Sequence, residues 1–491
     1  MLRPLPLLSL VVLPLAAAAR PFSLAPCLPS GASATCATSA TRADDEQQAR
    51  KLFEKAEALA AKSKYKEARR AYAKLLRKYP HSSLSAAAER RSQPSGFAGS
   101  ADLVRHGPSA NRVDVVIMGE GYEIDHQKAF EKLAENIPDY FARQNTFGEY
   151  FAYFNFLRAN LVSAQSGVDG FGREYDTALG GHTLDTYAGH VAIDTGLVRQ
   201  MLDELDEHDG LVIVFVKNGI MGTGGGGVAT IGGQSIKTAI HEFGHSFGGL
   251  GDEYATETHK RSGVGKAVNV AATDDPQAVP WKHWIAAKVP GVGVYEGASG
   301  QVRGAWKPTS GGCVMESGEF FCRPCREELV LDIYRYVDPI DECIPAAHAR
   351  RSTEALVLGD KPLEFRVKVL EPQSHAIQVR WWVFPEADVP QGPSHDPDER
   401  YGRRRGNRSD RGRLPRIGAK PVLLRKQPKR GGWTDFDLRR DRHMAPGRYR
   451  VVCRAIDTTK PRGERWPWVL NDKDGLLESE RAWWVVVEES P

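Results

Sequence analysis

Two histidines four residues apart, with a glutamate beside the first and glycines just past the second, constrain this chain more than any other stretch. The segment reads His241-Glu242-Phe243-Gly244-His245-Ser246-Phe247-Gly248-Gly249-Leu250-Gly251-Asp252-Glu253-Tyr254. On a helix, residues at i and i+4 lie one turn apart on the same face, so both imidazoles can grip one divalent ion. Glu242 stands next to the first of them, within reach of water at that ion. Phe243 and Phe247 repeat at the same spacing and mark the helix as a core element. Two buried histidines beside a buried glutamate are costly unless something pairs with them, and a metal would. A solvated surface helix would account for the histidines but not for the phenylalanine stripe. Gly248 and Gly249 are expected to end the helix, since a glycine pair readily takes the left-handed turn. The chain can then double back and present an acid. Asp252 is the first choice for a third ligand and Glu253 the alternative. Neighbouring side chains on an extended segment point opposite ways, so one would bind and the other would orient a ligand histidine from behind. Imidazole plus carboxylate with one open position is the usual hydrolytic zinc site, so one Zn2+ per chain is expected.

The 491 residues suffice for several domains and at least one large core. A net charge of +4 argues against a dedicated nucleic-acid binder. Residues 1–19 read as a signal peptide, with Arg3, an apolar run from Leu5 to Leu15, and small residues from Ala16 to Ala19. Prolines at positions 4, 6 and 14 and the short length argue against a permanent membrane span. With no other long apolar run, the mature chain is expected to lack a transmembrane segment. It should be secreted or otherwise extracytoplasmic, in a periplasm or at a cell surface. Cys27 follows Pro26, where lipid attachment would need a small residue. Seven cysteines fit an exported protein with a few bridges.

Residues 20–42, rich in Ala, Ser, Thr and Pro, are expected to form a flexible tether. Helical periodicity over 43–92 predicts a hairpin of two helices and a short third one. The pattern Tyr65, Ala68, Tyr72, Leu75, Leu76, Tyr79, Pro80 resembles one tetratricopeptide repeat. A lone repeat cannot bury its own core, so the segment reads either as a protein-docking module or as a charged spacer. Residues 93–110 read as a linker. Strands are expected at 113–118, 151–161, 211–216 and 228–231, with a helix over 125–141. The glycine run at 222–227 reads as a flexible stretch. The short strand at 228–231 reads as a sheet edge beside the metal helix, where an extended peptide could add itself as a strand. Gly119-Glu120-Gly121 lacks the remainder of a nucleotide-binding loop. His182 and His190 could bind metal in principle, but loop packing is their simpler role. Gln234 or Ser235 can cap the histidine helix.

The histidine segment, together with Gly312-Cys313-Val314-Met315-Glu316 and Phe321-Cys322-Arg323-Pro324-Cys325, resembles the M64 peptidases, often labelled IgA peptidases. These are zinc endopeptidases related in pattern to the metzincins. The resemblance, which includes the strand-and-glycine start at Val113 to Tyr122, spans roughly residues 111–340 of a domain expected over 111–345. It implies zinc held by His241 and His245, Glu242 as the base acting on metal-bound water, and Met315 in the turn beneath the metal. It departs from the metzincin pattern at the third ligand. Three residues after Gly248 stands Gly251, which has no side chain, so one extra loop residue or a frame starting at Gly249 selects Asp252. The label does not make immunoglobulin a substrate. Tyr254 could donate a hydrogen bond to the oxyanion. Cys313, Cys322, Cys325 and Cys343 could hold a second, structural zinc. In an exported protein disulfides are the first expectation, and a bridge from Cys313 to Cys322 or Cys325 would pin the Met315 turn.

From residue 350 onward, alternating apolar residues predict several strands and an immunoglobulin-like sandwich. It is interrupted at 385–432 by a basic, proline- and glycine-rich insertion expected to be disordered. The fold class expected is therefore α+β: a zincin- or metzincin-like domain with a mixed sheet and an active-site helix, an N-terminal helical hairpin and a C-terminal all-β unit. The activity expected is endopeptidase cleavage of protein or peptide substrates. Its rivals are a gluzincin-like aminopeptidase with a downstream glutamate ligand, and a non-catalytic surface-binding protein with a structural metal.

Overall fold

In the computed structural model, continuous apolar runs form the middle of a six-stranded sheet. The structure describes residues 34–184, 189–233, 235–256, 263–349, 351–390, 414–429, 431–441 and 443–489, with side chains from residue 42 onward. The expected signal peptide, Cys27 and the arginines at 403–405 lie outside the described residues.

The chain begins with α1 (Ala34–Ala60), α2 (Tyr65–Lys78) and α3 (Ser85–Ser92). The central unit follows as β1 (Gly96–Arg105), β2 (Val113–Glu120), α4 (Gln127–Arg143), α5 (Asn145–Glu149) and β3 (Phe154–Val162). It continues through β4 (His182–Thr183), β5 (Val191–Ala192), α6 (Thr195–Leu202), β6 (Leu211–Val216), β7 (Thr223–Gly225), β8 (Val228–Gly232) and α7 (Ile236–Gly248). It closes with α8 (Lys282–Ala286), β9 (Tyr295–Ala298), β10 (Gln301–Lys307) and α9 (Arg323–Tyr336). The rest is all strand: β11 (Ile340–Ile344), β12 (Leu356–Leu358), β13 (Leu363–Val369), β14 (Gln378–Pro385), β15 (Leu423–Arg425), β16 (Trp433–Leu438), β17 (Gly447–Ile456) and β18 (Glu478–Val487).

The main sheet runs β1-β3-β2-β6-β8-β7, parallel from β3 to β8, with antiparallel strands at both edges. Because strand side chains alternate, its buried strands feed two cores. Val115, Ile117, Ile213 and Phe215 face α4, α7 and α9, whereas Val116, Met118, Val212 and Val214 face α6. Burial on both faces is why these strands read as unbroken apolar runs.

Two segments expected to lack structure belong to this sheet. Part of the presumed linker 93–110 is strand β1, paired antiparallel with β3 from Gly96↔Val162 to Arg105↔Asn155. Its glycines and polar residues hide the strand from any periodicity count, and its order comes from long-range pairing. The glycine run contains β7, so the sheet edge is β7 and not the expected strand at 228–231.

The helical hairpin buries one face against the main sheet. Ala56, Ala60, Tyr65 and Tyr72 bury themselves with Ala98 of β1 and Val162 of β3. Tyr65 donates to Glu131 of α4 at 2.5 Å. Edge strand β1 is thereby covered. α1 starts at Ala34, inside the tether expected over 20–42.

The C-terminal unit holds two sheets, β12-β18-β17-β14-β15 and β11-β13-β16. They meet across Phe365, Trp381 and Trp483, with ring centroids 5.0–6.4 Å apart. β11 lies within the expected peptidase boundary at 345 yet pairs with β13, so this unit starts near residue 340. Similarly, β15 pairs with β14 inside the insertion expected to be disordered at 385–432. Trp382 also donates to the Ala419 carbonyl at 2.9 Å, anchoring what composition alone made look loose.

The unit is fastened to the central one by buried polar contacts. Arg112 pairs with Asp341 at 2.9 Å. His375 is clamped between Glu149 of α5 and Asp457, each at 2.7 Å, and Tyr334 of α9 donates to Asp457 at 2.6 Å. Glu327 of α9 accepts from His283, Trp284 and the backbone N–H groups of Leu470 and Asn471. No described helix is long and apolar enough to cross a membrane.

Candidate metal centre

Local chemistry sets both ends of α7. The Ser235 hydroxyl accepts from the Thr238 N–H and caps the first turn. At the other end only Gly249 is left-handed, at φ 56°, and its N–H returns to the His245 carbonyl. Gly248 remains helical. A Cβ there would lie 2.6 Å from Leu329 Cδ2, so this glycine lets α7 approach α9. Gly244 plays the corresponding part for Met315, whose Sδ would lie 2.7 Å from an added Cβ. Met315 is therefore packed against α7 at Gly244.

His241 Nδ1 bonds the Val314 carbonyl at 2.9 Å and His245 Nδ1 bonds the Leu250 carbonyl at 2.6 Å. Both rings thus turn Nε2 toward one point. The chain reverses after Gly249 and brings the Asp252 carboxylate to that point. Its Oδ1 lies 3.3 Å from His241 Nε2 and 3.0 Å from His245 Nε2, and the two nitrogens are 3.2 Å apart. Donors at ~2.1 Å from one tetrahedral centre would be about 3.4 Å apart. The triangle therefore fits a single zinc-sized ion. Burial alone would raise the Asp252 carboxyl, but hydrogen bonds from both histidines hold it well below the usual carboxylate range.

Glu253 is not at this triangle and does not support a ligand histidine. It is fully buried on the opposite side of the segment from Asp252, against Cys325 Sγ at 3.0 Å and Cys322 Sγ at 3.4 Å. Cys313, Cys322 and Cys325 form no disulfide, nor does Cys343. Cys313 and Cys325 Sγ are 3.9 Å apart, against ~2.05 Å for a bond. The expected bridge under the Met315 turn is thus absent, and Cys343 is not in this group.

Glu242 is buried in the cleft wall beside the triangle. Burial pushes its carboxyl above the ordinary range, although the two histidines pull the other way. β7 runs directly over it. A Cβ at Gly224 would lie 2.4 Å from the Glu242 carbonyl oxygen and 2.9 Å from His245 Cβ, so only glycine allows this approach. Tyr254 lies against His241 with centroids 6.2 Å apart and lines the same cleft, as does His190. His182 instead bonds its own loop, at the Gly180 carbonyl.

Residues 101–291 match the family model of IgA peptidase M64. This span is similar to the M64 peptidases. It runs from β1 through β7 and α7 to the segment after α8, and the likeness points to a peptidase, a hydrolase. No curated protein matches the chain. Several residues that shape the candidate site carry no local signal in the sequence. Asn269 brackets Gly251, accepting from its N–H and donating to its carbonyl, each at 2.8 Å. Lys307 holds the Glu253 carbonyl at 2.7 Å. Glu120 latches the loop below the cleft by accepting from Leu179 and Gly181, each at 2.8 Å.

Proposed function

We propose that this chain is an extracytoplasmic zinc endopeptidase whose base is Glu242. The observation that carries the reading is the convergence of His241, His245 and Asp252 on one point, beside a buried glutamate and an open sheet edge. A divalent ion held there would polarise the scissile carbonyl and make water acidic. Glu242 takes the proton from that water and returns it to the leaving nitrogen, a task suited to a carboxylate made more basic by burial. An extended peptide lies along β7, where glycines bring the backbone close to the metal helix. Tyr254 donates its hydroxyl hydrogen to the oxygen on which charge develops. The aminopeptidase alternative needs a downstream glutamate as third ligand, whereas Asp252 is the acid grouped with His241 and His245.

The test is cleavage of a mixed peptide library by the purified chain, with and without chelator. Glu242→Ala should keep its metal and lose roughly 10²–10⁴-fold in turnover, the usual contribution of a positioned base. His241→Ala should lose metal and turnover together. Full activity in metal-replete Glu242→Ala would remove the base assignment. Failure to cut peptides with a blocked amino end would favour an aminopeptidase.

A further inference from the structure

A second group of metal-type ligands lies behind the first and is separate from it. Glu253, Cys313, Cys322 and Cys325 bring one carboxylate oxygen and three sulfurs within 4.8 Å of one another. The distances suit a tetrahedral ion. Sulfurs ~2.3 Å from a common centre would be about 3.8 Å apart, and a sulfur and a carboxylate oxygen about 3.5 Å. Cys313 and Cys325 Sγ are 3.9 Å apart, and Glu253 Oε1 is 3.0 and 3.4 Å from the other pairings. The surroundings also suit thiolates. The Cys322 N–H points at Cys313 Sγ at 3.4 Å, and Cys322 and Cys325 straddle the first turn of α9. Asn269 donates to Glu253 Oε1 at 3.0 Å and fixes the carboxylate. Buried Lys307 donates to the Glu253 carbonyl at 2.7 Å and pairs with Glu316, which fixes the backbone at this ligand. A surface hollow lined by Gly312, Cys313, Phe321 and Cys322 offers a way in.

We propose that these four residues form a structural metal site for zinc or a similar thiophilic divalent ion, with three thiolates and one carboxylate as ligands. Such an ion would tie Glu253 to the Cys313 turn and to the start of α9, at least 60 residues further along the chain. Glu253 neighbours the ligand Asp252, and its N–H bonds the Met315 carbonyl at 2.7 Å. Cys313 precedes Val314, whose carbonyl orients His241. Cys322 and Cys325 belong to the start of α9, against which Gly248 packs. All four are positioning residues: they would set the geometry of the first site without touching substrate.

Metal content of the full chain, purified without reductant or chelator, tests this, with cobalt exchange as a spectroscopic probe. The wild type should hold two ions per chain. His241→Ala/His245→Ala should keep one, and its cobalt form should retain the intense near-ultraviolet band of thiolate-to-cobalt charge transfer. Cys322→Ser/Cys325→Ser should lose that band and one ion, whereas Cys343→Ser should keep both. If the cysteine variant does not fold, the histidine variant still decides. A metal-free histidine variant, loss of an ion in Cys343→Ser, or a disulfide among Cys313, Cys322 and Cys325 in a peptide map would each overturn the proposal. A histidine variant holding as much metal as the wild type would instead sink the catalytic reading and leave this one standing.

Discussion

Replacing His375 by glutamine tests what holds the C-terminal sheets to the central unit. The imidazole lies between Glu149 and Asp457, 2.7 Å from each, with its side chain only 5% exposed. Burial alone would lower its pKa, but the two carboxylates overcome this and raise it from the ordinary 6.5 to about 9. At ~1.4 kcal/mol for each tenfold change in protonation, that preference corresponds to about 3 kcal/mol favouring the folded, charged form. Breaking a buried ion pair by removing one partner costs about 3–5 kcal/mol. The lower end applies here, because Asp457 keeps Tyr150, Tyr334 and the Thr459 N–H, and Glu149 keeps the Ser374 N–H. The pH dependence follows from the sign. A group whose pKa is higher in the folded state contributes fully below its unfolded value and loses that contribution as pH rises through its folded value. The contribution of His375 is therefore complete below 6.5 and fades as pH passes about 9. Urea unfolding followed by tryptophan fluorescence should show His375→Gln less stable by about 3 kcal/mol at pH 6, with the gap narrowing toward pH 10. A gap that stays constant over this range, or one below ~1 kcal/mol at pH 6, would refute the reasoning.

Two further substitutions probe other contacts. Gly224→Ala sets a methyl group against the Glu242 carbonyl and His245, so β7 must move off the metal helix. We expect a loss of about 1–3 kcal/mol in thermal unfolding, a typical overpacking cost, and loss of peptide cleavage with metal content unchanged. Glu327→Ala strands four donors, from His283, Trp284, Leu470 and Asn471. At ~1–3 kcal/mol for each buried group left unsatisfied, and with water reaching some of them, a loss above ~3 kcal/mol by urea unfolding is expected.

Short-range rules sufficed for the histidine helix. The i to i+4 spacing, the Ser235 cap and the left-handed Gly249 act within one or two turns, so the residues alone put His241, Glu242 and His245 on one helix. The central strands were legible for a similar reason, since unbroken apolar runs such as Leu211–Val216 have no other stable home. The alternation at Asp252 and Glu253 was legible too, but not where each side chain would land.

Tertiary structure alone settled the rest, because the deciding partners lie far off in sequence. β1 and β7 are poor in apolar pattern and become strands only through β3 and β8. The unit boundary near 340 rests on the pairing of β11 with β13. Glu253 joins cysteines 60 to 72 positions away because packing the Met315 turn beneath Gly244 brings them there. A residue's own chemistry determines which contacts it can make. Which contacts it does make depends on the packing of segments that only the folded chain brings together.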